Sequence, residues 1–372
     1  MTNTQPRRRW FATPAAVVAM SIALAGCGSS GSSASGGSES AAAGSTVASG
    51  AAAGAAASAG QAAVSPAAVE GALLPAAEGK TSYPLTLTSP WGETVVEQRP
   101  ERIAVVTGAN DVDNTLALGV TPVWADDWQA SYEWTTAAGS EDIETRGEVS
   151  DTIPAEDVAT SEPDLIIAIQ TDADILGASY EKLAAVAPVL TTEAPSWDIG
   201  WQDTVRLIGS TLDLSDRADD VITDVDAQIA DAAAANPEFQ GTSLSFVLWL
   251  QGNETLTFRS FEGSPTADLF TSLGFAASPN AAQFSRDNLL LSPENYGLID
   301  ADVVLVASPQ EQFDKLLQVP TFASVPAIAE QRYALIDLDV EKEVGWAMGW
   351  PSALSTPWLV DKVAPPLATT LA

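Results

Sequence analysis

The side chains that most enzymes use for catalysis are scarce in this chain. Histidine is absent from all 372 residues, and Cys27 is the only cysteine. This composition excludes catalytic groupings and zinc sites that need histidine, intrachain disulfides and thiolate metal clusters. The Gly-x-Ser-x-Gly motif of α/β hydrolases does not occur, and the adjacent carboxylates of Asp126 and Asp127 are poorly placed for acid–base work. These absences argue against a hydrolase on an α/β scaffold, and no enzymatic activity is expected.

Cys27 ends a segment that is typical of export signals, residues 1–27. Arg7-Arg8-Arg9 is its charged region, and the stretch from Trp10 to Leu24 is mostly apolar. The segment is too short for a membrane-spanning helix. Its ending, Leu24-Ala25-Gly26-Cys27, resembles a bacterial lipobox. This resemblance implies cleavage before Cys27, lipidation of its thiol and anchoring to the outer face of the cytoplasmic membrane. An ordinary signal peptide with a chance cysteine is the alternative.

Residues 28–80 are rich in glycine, serine and alanine, with few large apolar side chains. Such a stretch is typical of a flexible tether. The roughly 290 residues that follow are enough for one large or two modest domains. The net charge of −33 argues against binding of nucleic acid and against adhesion of the protein body to anionic lipid. Contact with a membrane is therefore expected through the lipid anchor only.

One long amphipathic helix is predicted between residues 216 and 236. Its apolar positions recur at helical spacing: Val221, Ile222, Val225 and Ile229. Ser215 suits the N-cap, and Asn236-Pro237 ends the helix. About 20 residues span roughly 30 Å, the size of a domain. We interpret this helix as a rigid connection between two lobes that hold a ligand in their cleft. An ordinary surface helix of a single α/β domain is the alternative.

Short apolar runs alternate with helical segments on both sides of this helix. The run Ile103 to Val106, the helix Asp111 to Leu118 and the run Gly119 to Val123 form one βαβ unit, which implies a parallel sheet. The predicted fold is α/β, with two Rossmann-like lobes built on central, mainly parallel sheets. The predicted N-terminal lobe covers residues 81–200, the connecting helical segment 201–238 and the C-terminal lobe 239–372.

The order of these segments resembles the ferric-siderophore-binding proteins of ABC importers, whose relatives bind cobalamin or haem. The stretches that carry the resemblance are Arg99 to Val106, Leu116 to Val123, Pro154 to Ile167, Tyr180 to Val189, Leu291 to Val306 and Phe322 to Ile336. Each is a loose pattern alone, but their order and spacing are specific. Trp124 departs from the pattern, because family members usually have a small residue there. Trp124 and the acidic, loop-like segment from Glu133 to Asp151 are expected near the mouth of the cleft.

The resemblance implies that loops at the carboxyl ends of the strands hold the ligand, where open α/β sheets also bind ligands on general grounds. Mapped onto this sequence, the predicted contacts are Thr107, Asp127, Trp128, Trp197, Trp201, Trp249, Arg259, Phe261 and Trp346. Further positions of the same kind are Gly108, Asp126, Gln170, Thr171 and Trp350, and Arg286 and Lys342 are further cations in loop-like stretches. Aromatic faces would cover the apolar periphery of a siderophore, and an arginine fork would donate to its chelating oxygens. Core packing of the tryptophans and a surface ion pair of Arg259 are the alternatives.

The resemblance also implies a transport function. Relatives present one glutamate per lobe to an arginine pocket on the permease, and Glu156 and Glu294 begin helix-like stretches at the matching positions. The helix dipole alone also explains a glutamate in a first turn. The expected function is capture of a ferric siderophore and its delivery, by a monomer, to the permease dimer of an ABC importer and its ATPase. No cofactor or protein-ligated metal is expected, because the chelator saturates the iron. Cobalamin or haem is the alternative ligand.

Overall fold

The computed structural model describes residues 72–107, 110–150, 152–194, 199–249 and 255–372. Residues 63–372 form one compact unit, which contains the three hydrophobic clusters of the described chain. The predicted export signal with Cys27, most of the predicted tether and Trp197 lie outside the described residues. In the described part, every helix is too short or too polar to cross a membrane.

Two sheets form the frame of the compact unit. The strands are β1 (Leu85–Ser89), β2 (Gly92–Val96), β3 (Ile103–Val105), β4 (Trp124–Asp126), β5 (Thr145–Gly147), β6 (Leu165–Ile167), β7 (Val189–Leu190), β8 (Ser243–Leu248), β9 (Leu256–Phe258), β10 (Ala276–Ala277), β11 (Leu290–Leu291), β12 (Val303–Ser308) and β13 (Tyr333–Asp337). The sheet of the N-terminal lobe has the order β5-β4-β3-β6-β7 and is entirely parallel. In the C-terminal lobe the order is β11-β9-β8-β12-β13, with β10 also beside β8; β9 pairs antiparallel with both β8 and β11, and the other described pairs are parallel.

Helices connect and cover the two sheets. They are α1 (Asp111–Ala117), α2 (Asp127–Ala130), α3 (Glu133–Ala137), α4 (Ala155–Thr160), α5 (Ala173–Ala184), α6 (Trp201–Thr211), α7 (Ser215–Ala235), α8 (Pro265–Ser272), α9 (Gln310–Leu316), α10 (Pro320–Ala323), α11 (Pro326–Ala329), α12 (Val344–Gly349) and α13 (Ser355–Leu371). Short 3-10 helices cover Ser140–Asp142, Pro237–Phe239, Ala281–Gln283 and Pro293–Ile299. The predicted α/β architecture with two lobes and mainly parallel sheets is confirmed.

Helix α7 is the predicted long helix, and it bridges the lobes. It packs against α6 on the side of the N-terminal lobe and against α8 and α13 of the C-terminal lobe. The four apolar positions that the sequence singled out are each at most 8% exposed. Burial of such aliphatic side chains contributes roughly 1.5–3 kcal/mol each. The same stripe therefore stabilises the helix and holds the two lobes together.

The start of α7 is capped by a residue from far upstream, not by Ser215 as the sequence predicts. Ser215 is already helical, and no side-chain cap bond is made from the N-cap position at Leu214. Instead, the carboxylate of Glu78 accepts hydrogen bonds from the backbone N–H groups of Asp216 and Arg217, at 2.8 and 3.0 Å. A carboxylate at this end also opposes the positive pole of the helix dipole. The cap is thus a tertiary contact that local sequence does not reveal.

Glu78 belongs to a segment that lies on the folded body, residues 72–81, here called the N-terminal strap. Asp213 accepts hydrogen bonds from three successive backbone N–H groups of the strap, at 2.7, 2.7 and 2.8 Å. Further along, Arg99 donates to the carbonyl of Pro75 at 2.8 Å, and Leu73 accepts from the backbone of Thr121 at 2.8 Å. The body therefore begins before the predicted boundary at residue 80.

Replacement of Glu78 by alanine should lower the free energy of unfolding by about 1–2 kcal/mol, because two N–H groups at the start of α7 lose their acceptor. Urea denaturation of residues 63–372 measures this change. Glu97→Ala, at an exposed position just after β2, is the matched control and should change the midpoint little. Equal midpoints for the two variants would show that the strap does not stabilise α7.

Trp124 lies in the core of the N-terminal lobe and not at the cleft mouth. Its side chain is fully buried, and its Nε1 donates to the carboxylate of Asp157 at 2.9 Å. The adjacent strand supplies Gly147, where an added Cβ would come within 2.3 Å of the indole. A large residue on β4 is thus matched by a small one on β5. The segment from Glu133 onward is also less loop-like than predicted, since it contains α3 and β5.

Candidate ligand-binding cleft

A cleft of about 380 Å³ lies between the lobes and is bordered by α7. Its lining includes Gln170 and Trp201 on the N-terminal side, Asp226 of α7, and Phe261, Arg286 and Trp350 on the C-terminal side. Gln170 follows β6, and Phe261 follows β9, so the predicted placement at strand ends is observed. The volume falls within the range of small-molecule sites. Its mixture of aromatic, amide and charged groups suits a bulky ligand with polar oxygens.

Arg259 is a largely desolvated cation beside this cleft. Its Cζ lies 5.9 Å from the centroid of the Trp350 ring, and burial lowers the pKa of its guanidinium. Gly349 leaves room for it, because an added Cβ there would lie 2.6 Å from Nη2. Within the described ranges, no carboxylate forms an ion pair with Arg259. A buried charge without a partner costs free energy. The group is therefore suited to negatively charged or strongly polar oxygens of a ligand.

Aromatic side chains from both lobes meet across their junction. This aromatic ladder consists of Trp128, Tyr132 and Trp134 from the N-terminal lobe and Trp346, Trp350 and Trp358 from the C-terminal lobe. The ring centroids of Trp128 and Trp346 are 4.5 Å apart, those of Trp134 and Trp358 4.8 Å, and those of Trp346 and Trp350 4.3 Å. Trp128, which contacts both Tyr132 and Trp346, is 54% exposed. The ladder therefore leads from solvent to the cleft wall at Trp350.

The structure brings several predicted contact residues together. Trp201 and Phe261 line the cleft, Arg259 adjoins it, and Trp128 and Trp346 contact each other in the ladder.

Two predicted residues lie elsewhere. Asp127 is exposed and pairs with Arg146 at 3.7 Å. Trp249 is half-buried against the core of the C-terminal lobe. Neither residue is part of the described cleft lining, and their contact with a ligand stays a prediction.

Thr107 is an internal residue and not part of the cleft surface. It is 1% exposed, and its hydroxyl donates to the carboxylate of Asp111. That carboxylate also accepts from the backbone N–H of Ile169 at 2.7 Å and of Gln170 at 3.1 Å. In this arrangement the hydroxyl of Thr107 faces Asp111, and contact between Thr107 and a ligand stays a prediction. Its position after a strand predicted proximity to the cleft, but its hydroxyl is used inside the lobe.

Glu156 and Glu294 occupy corresponding positions in the two lobes. Glu156 lies in the first turn of α4, which precedes β6, and Glu294 lies in the first turn of the 3-10 helix that precedes β12. Both side chains are exposed, and hydrogen bonding to the backbone at these helix starts lowers the pKa of each. Glu156 is also 3.4 Å from Lys182. Each lobe thus presents an ionised carboxylate to solvent.

Asp113 is a fully buried carboxyl at the junction of the lobes. Oδ2 accepts hydrogen bonds from Ser352 Oγ and Trp134 Nε1, each at 2.6 Å. Burial raises the pKa of Asp113 to about 7, and these two hydrogen bonds oppose the rise. The ionisable groups that face it are Asp111 on the same helix and Tyr132, whose pKa is also raised by burial. Asp113 therefore titrates near neutrality in a chain without histidine.

The folded state should lose stability relative to an Asp113→Asn variant as pH rises from about 4 to about 7. The folded protein keeps a proton on Asp113 that the unfolded chain releases near its usual pKa, so ionisation favours unfolding in this range. Three pKa units correspond to about 4 kcal/mol as an upper value. Urea denaturation between pH 4 and 8 measures the difference. Asp302→Asn is the control, because hydrogen bonds from Ser243 lower the pKa of Asp302 and confine its effect to more acid pH. Parallel pH profiles for wild type and Asp113→Asn would contradict this prediction.

Two α/β lobes, a bridging helix and a cleft beside the desolvated guanidinium of Arg259 define a two-lobed solute-binding protein. The chain belongs to the periplasmic binding protein family, whose model matches residues 103–340. This family consists of extracytoplasmic solute-binding proteins.

Individual relatives have names that specify their ligands. The chain is 27% identical over 281 residues to the ferric enterobactin-binding periplasmic protein FepB of Escherichia coli O6:H1, covering 70% of this chain and 86% of FepB. It is 25% identical over 221 residues to the probable siderophore-binding lipoprotein YfiY of Bacillus subtilis strain 168, covering 56% and 64%. The structure of PiaA from Streptococcus pneumoniae TIGR4 in complex with ferrichrome superposes with a TM-score of 0.62 at 21% identity, covering 77% of this chain and 98% of PiaA.

Proposed function

We propose that this protein captures a ferric siderophore outside the cytoplasmic membrane and delivers it to an ABC importer for iron uptake. Its family supplies the general role, solute binding. The ligand class is supported by the names of FepB and YfiY. Iron would enter the cleft only as a finished chelate, so that no protein side chain needs to ligate the metal.

The observation that carries this proposal is the environment of Arg259. The guanidinium is desolvated against Trp350, has space beside Gly349 and is unpaired with any carboxylate of the described chain. Ferric chelates present oxygen atoms that carry negative charge around the metal, within an apolar or aromatic periphery. The guanidinium of Arg259 would donate charge-assisted hydrogen bonds to these oxygens, and the neighbouring aromatic rings would pack against the apolar periphery.

Lipid anchoring is the proposed means of retention at the membrane. The lipobox-like ending at Cys27 supports it, and YfiY is itself named as a lipoprotein. The Gly/Ser/Ala-rich residues that follow Cys27 would let the body reach a permease in the same membrane. We infer that the protein works as a monomer.

Delivery would use Glu156 and Glu294 as contacts to the permease dimer, which works with its ATPase. Their exposure, ionisation and corresponding places in the two lobes support this role. One carboxylate per lobe matches a dimeric partner that presents one basic pocket per subunit. Electrostatic complementarity of this kind fixes orientation and speeds association.

Tryptophan fluorescence of residues 63–372 tests the ligand class. Ferric catecholates, ferric hydroxamates, haem and cobalamin are titrated separately, each siderophore beside its iron-free form. Saturable quenching by one ferric siderophore, with a Kd below 1 μM as an order of magnitude and clearly weaker binding of the iron-free form, is the expected result. Binding of cobalamin or haem alone would replace the proposed ligand, and no binding by any ferric siderophore would overturn the proposal.

A further inference from the structure

Helix α1 carries an unusual set of buried polar side chains. Asn110 at its N-cap and Asp111, Asp113 and Asn114 within it are all 0% exposed. Buried amides and carboxylates cost free energy unless hydrogen bonds replace water. None of these four residues lines the cleft. Their hydrogen bonds lead to both walls of the cleft.

Asp111 holds the wall on the N-terminal side. Its carboxylate accepts from the backbone N–H groups of Ile169 and Gln170, the residues that follow β6. Gln170 lines the cleft, and its Nε2 donates to the carbonyl of Ile199 at 2.8 Å. Ile199 also lines the cleft. One carboxylate thus fixes the loop from which this wall is built.

The other three side chains hold the wall on the C-terminal side, across the junction of the lobes. Asn110 Nδ2 donates to the carbonyls of Trp350 and Pro351, the latter at 3.0 Å. Asp113 accepts from the hydroxyl of Ser352, and Asn114 Oδ1 accepts from the backbone N–H of Ala353 at 3.1 Å. The hydrogen-bond partners are thus four consecutive residues, 350–353. Residues 110–114 therefore bind a segment about 240 positions away.

The segment 350–353, which α1 holds in place, forms part of the surroundings of the Arg259 guanidinium. Trp350 lies under the Arg259 guanidinium, and its neighbour Gly349 provides the space for it. Displacement of Trp350 by a fraction of an ångström would therefore change both the stacking surface and the room available to Arg259. The position of this cation depends on a helix in the opposite lobe.

We propose that Asn110, Asp111, Asp113 and Asn114 are positioning residues that hold the two cleft walls in the spacing needed for ligand binding. They act through Gln170 and through the segment 350–353, without touching the ligand. This inference rests on the proposed function for its effect on affinity. Its effect on the spacing of the lobes is independent of the ligand.

The test uses Asn110→Ala in residues 63–372. Affinity for the ferric chelate should fall about tenfold, since a buried acceptor pair loses its donor. Asp113→Ala should act in the same direction, and Asp113→Asn should restore affinity close to wild type because it keeps an acceptor for Ser352. The control is Ser245→Ala, which removes a buried hydrogen bond of 2.8 Å to Ser278 inside one lobe and should destabilise the protein without weakening binding.

A second readout measures the lobes directly. Residues 63–372 contain no cysteine, so Ala184→Cys and Ser324→Cys, both at exposed positions, accept one spin label in each lobe. The distribution of distances between the two spin labels should be narrow in the wild type and in Ser245→Ala and broader in Asn110→Ala and Asp113→Ala.

Unchanged affinity in the α1 variants, or lost affinity with an unchanged distance distribution, would overturn the inference. If the wild type binds no chelate, the proposed function fails, and the distance distribution alone decides whether α1 positions the walls. If Asn110→Ala does not fold, the Asp113 variants decide.

Discussion

Replacement of Arg259 by methionine should weaken binding of the ferric chelate about a hundredfold. Hydrogen bonds to charged groups contribute about 1.5–3 kcal/mol, and 1.4 kcal/mol corresponds to a factor of ten. Methionine keeps much of the length and the apolar contact with Trp350 but removes the donors. Arg259→Lys keeps the charge without the planar fork, so an intermediate loss of about tenfold is expected. Titration by tryptophan fluorescence measures both changes.

The same substitution should make the unliganded protein more stable. Arg259 is desolvated without a described anion beside it, so its removal relieves a cost of about 1 kcal/mol. Arg206→Ala is the matched control, because Arg206 forms ion pairs on the surface of α6, at 3.4 Å from Asp219 and 3.6 Å from Asp203, and such pairs contribute little. Wild-type affinity in Arg259→Met, or a large loss in Arg206→Ala, would remove the support that Arg259 gives to the proposed function.

Reversal of charge at both docking positions, Glu156→Arg with Glu294→Arg, should reduce iron uptake by whole cells at least tenfold while leaving chelate affinity unchanged. Like charges opposed across an interface cost several kcal/mol. The two positions are exposed and are not among the residues that line the cleft, so the substitutions should impair delivery without changing the affinity for the chelate. Each single reversal should give an intermediate loss. Uptake is measured with radioactive iron in the chelate.

The control reverses Glu181 and Glu311, one exposed glutamate in each lobe. It introduces the same number of positive charges without altering the proposed docking positions. Uptake close to wild type is expected for this control. If iron uptake falls equally in both double variants, the loss is caused by the change in overall charge. Normal uptake in the Glu156/Glu294 variant would exclude these residues as permease contacts.

Elements with strong local periodicity were predictable from the sequence. The helix α7 followed from four apolar positions at helical spacing, and the βαβ unit around α1 followed from short apolar runs. These predictions rest on neighbours within one or two turns, which a sequence displays directly. Gln170 and Phe261 were placed near the cleft by the family resemblance, which assigns the ligand to loops that follow strands.

Contacts between distant residues were not predictable in the same way. Glu78 looked like part of a tether, because nothing near it shows that it caps α7. The burial of the polar residues of α1 could not be inferred from their neighbours in the sequence, because their hydrogen bonds lead to residues 169–170 and to the segment 350–353. Trp124 was wrongly predicted at the cleft mouth, because the space that its side chain occupies in the core is left by Gly147 on another strand. The sequence does not distinguish Asp226 from the other acidic residues of α7, and only its place in the cleft lining does so.

The aromatic ladder has an optical consequence. Indole rings with centroids 4.3–4.8 Å apart, as in Trp346–Trp350, Trp128–Trp346 and Trp134–Trp358, share excitation, and their coupled transitions give circular dichroism of opposite sign on either side of the absorption maximum. Two of these three pairs join one lobe to the other. A tilt of the lobes that changes the angle within these pairs therefore changes the rotational strength of the coupled transitions. The circular dichroism of these tryptophans should thus report the relative orientation of the two lobes without an added label.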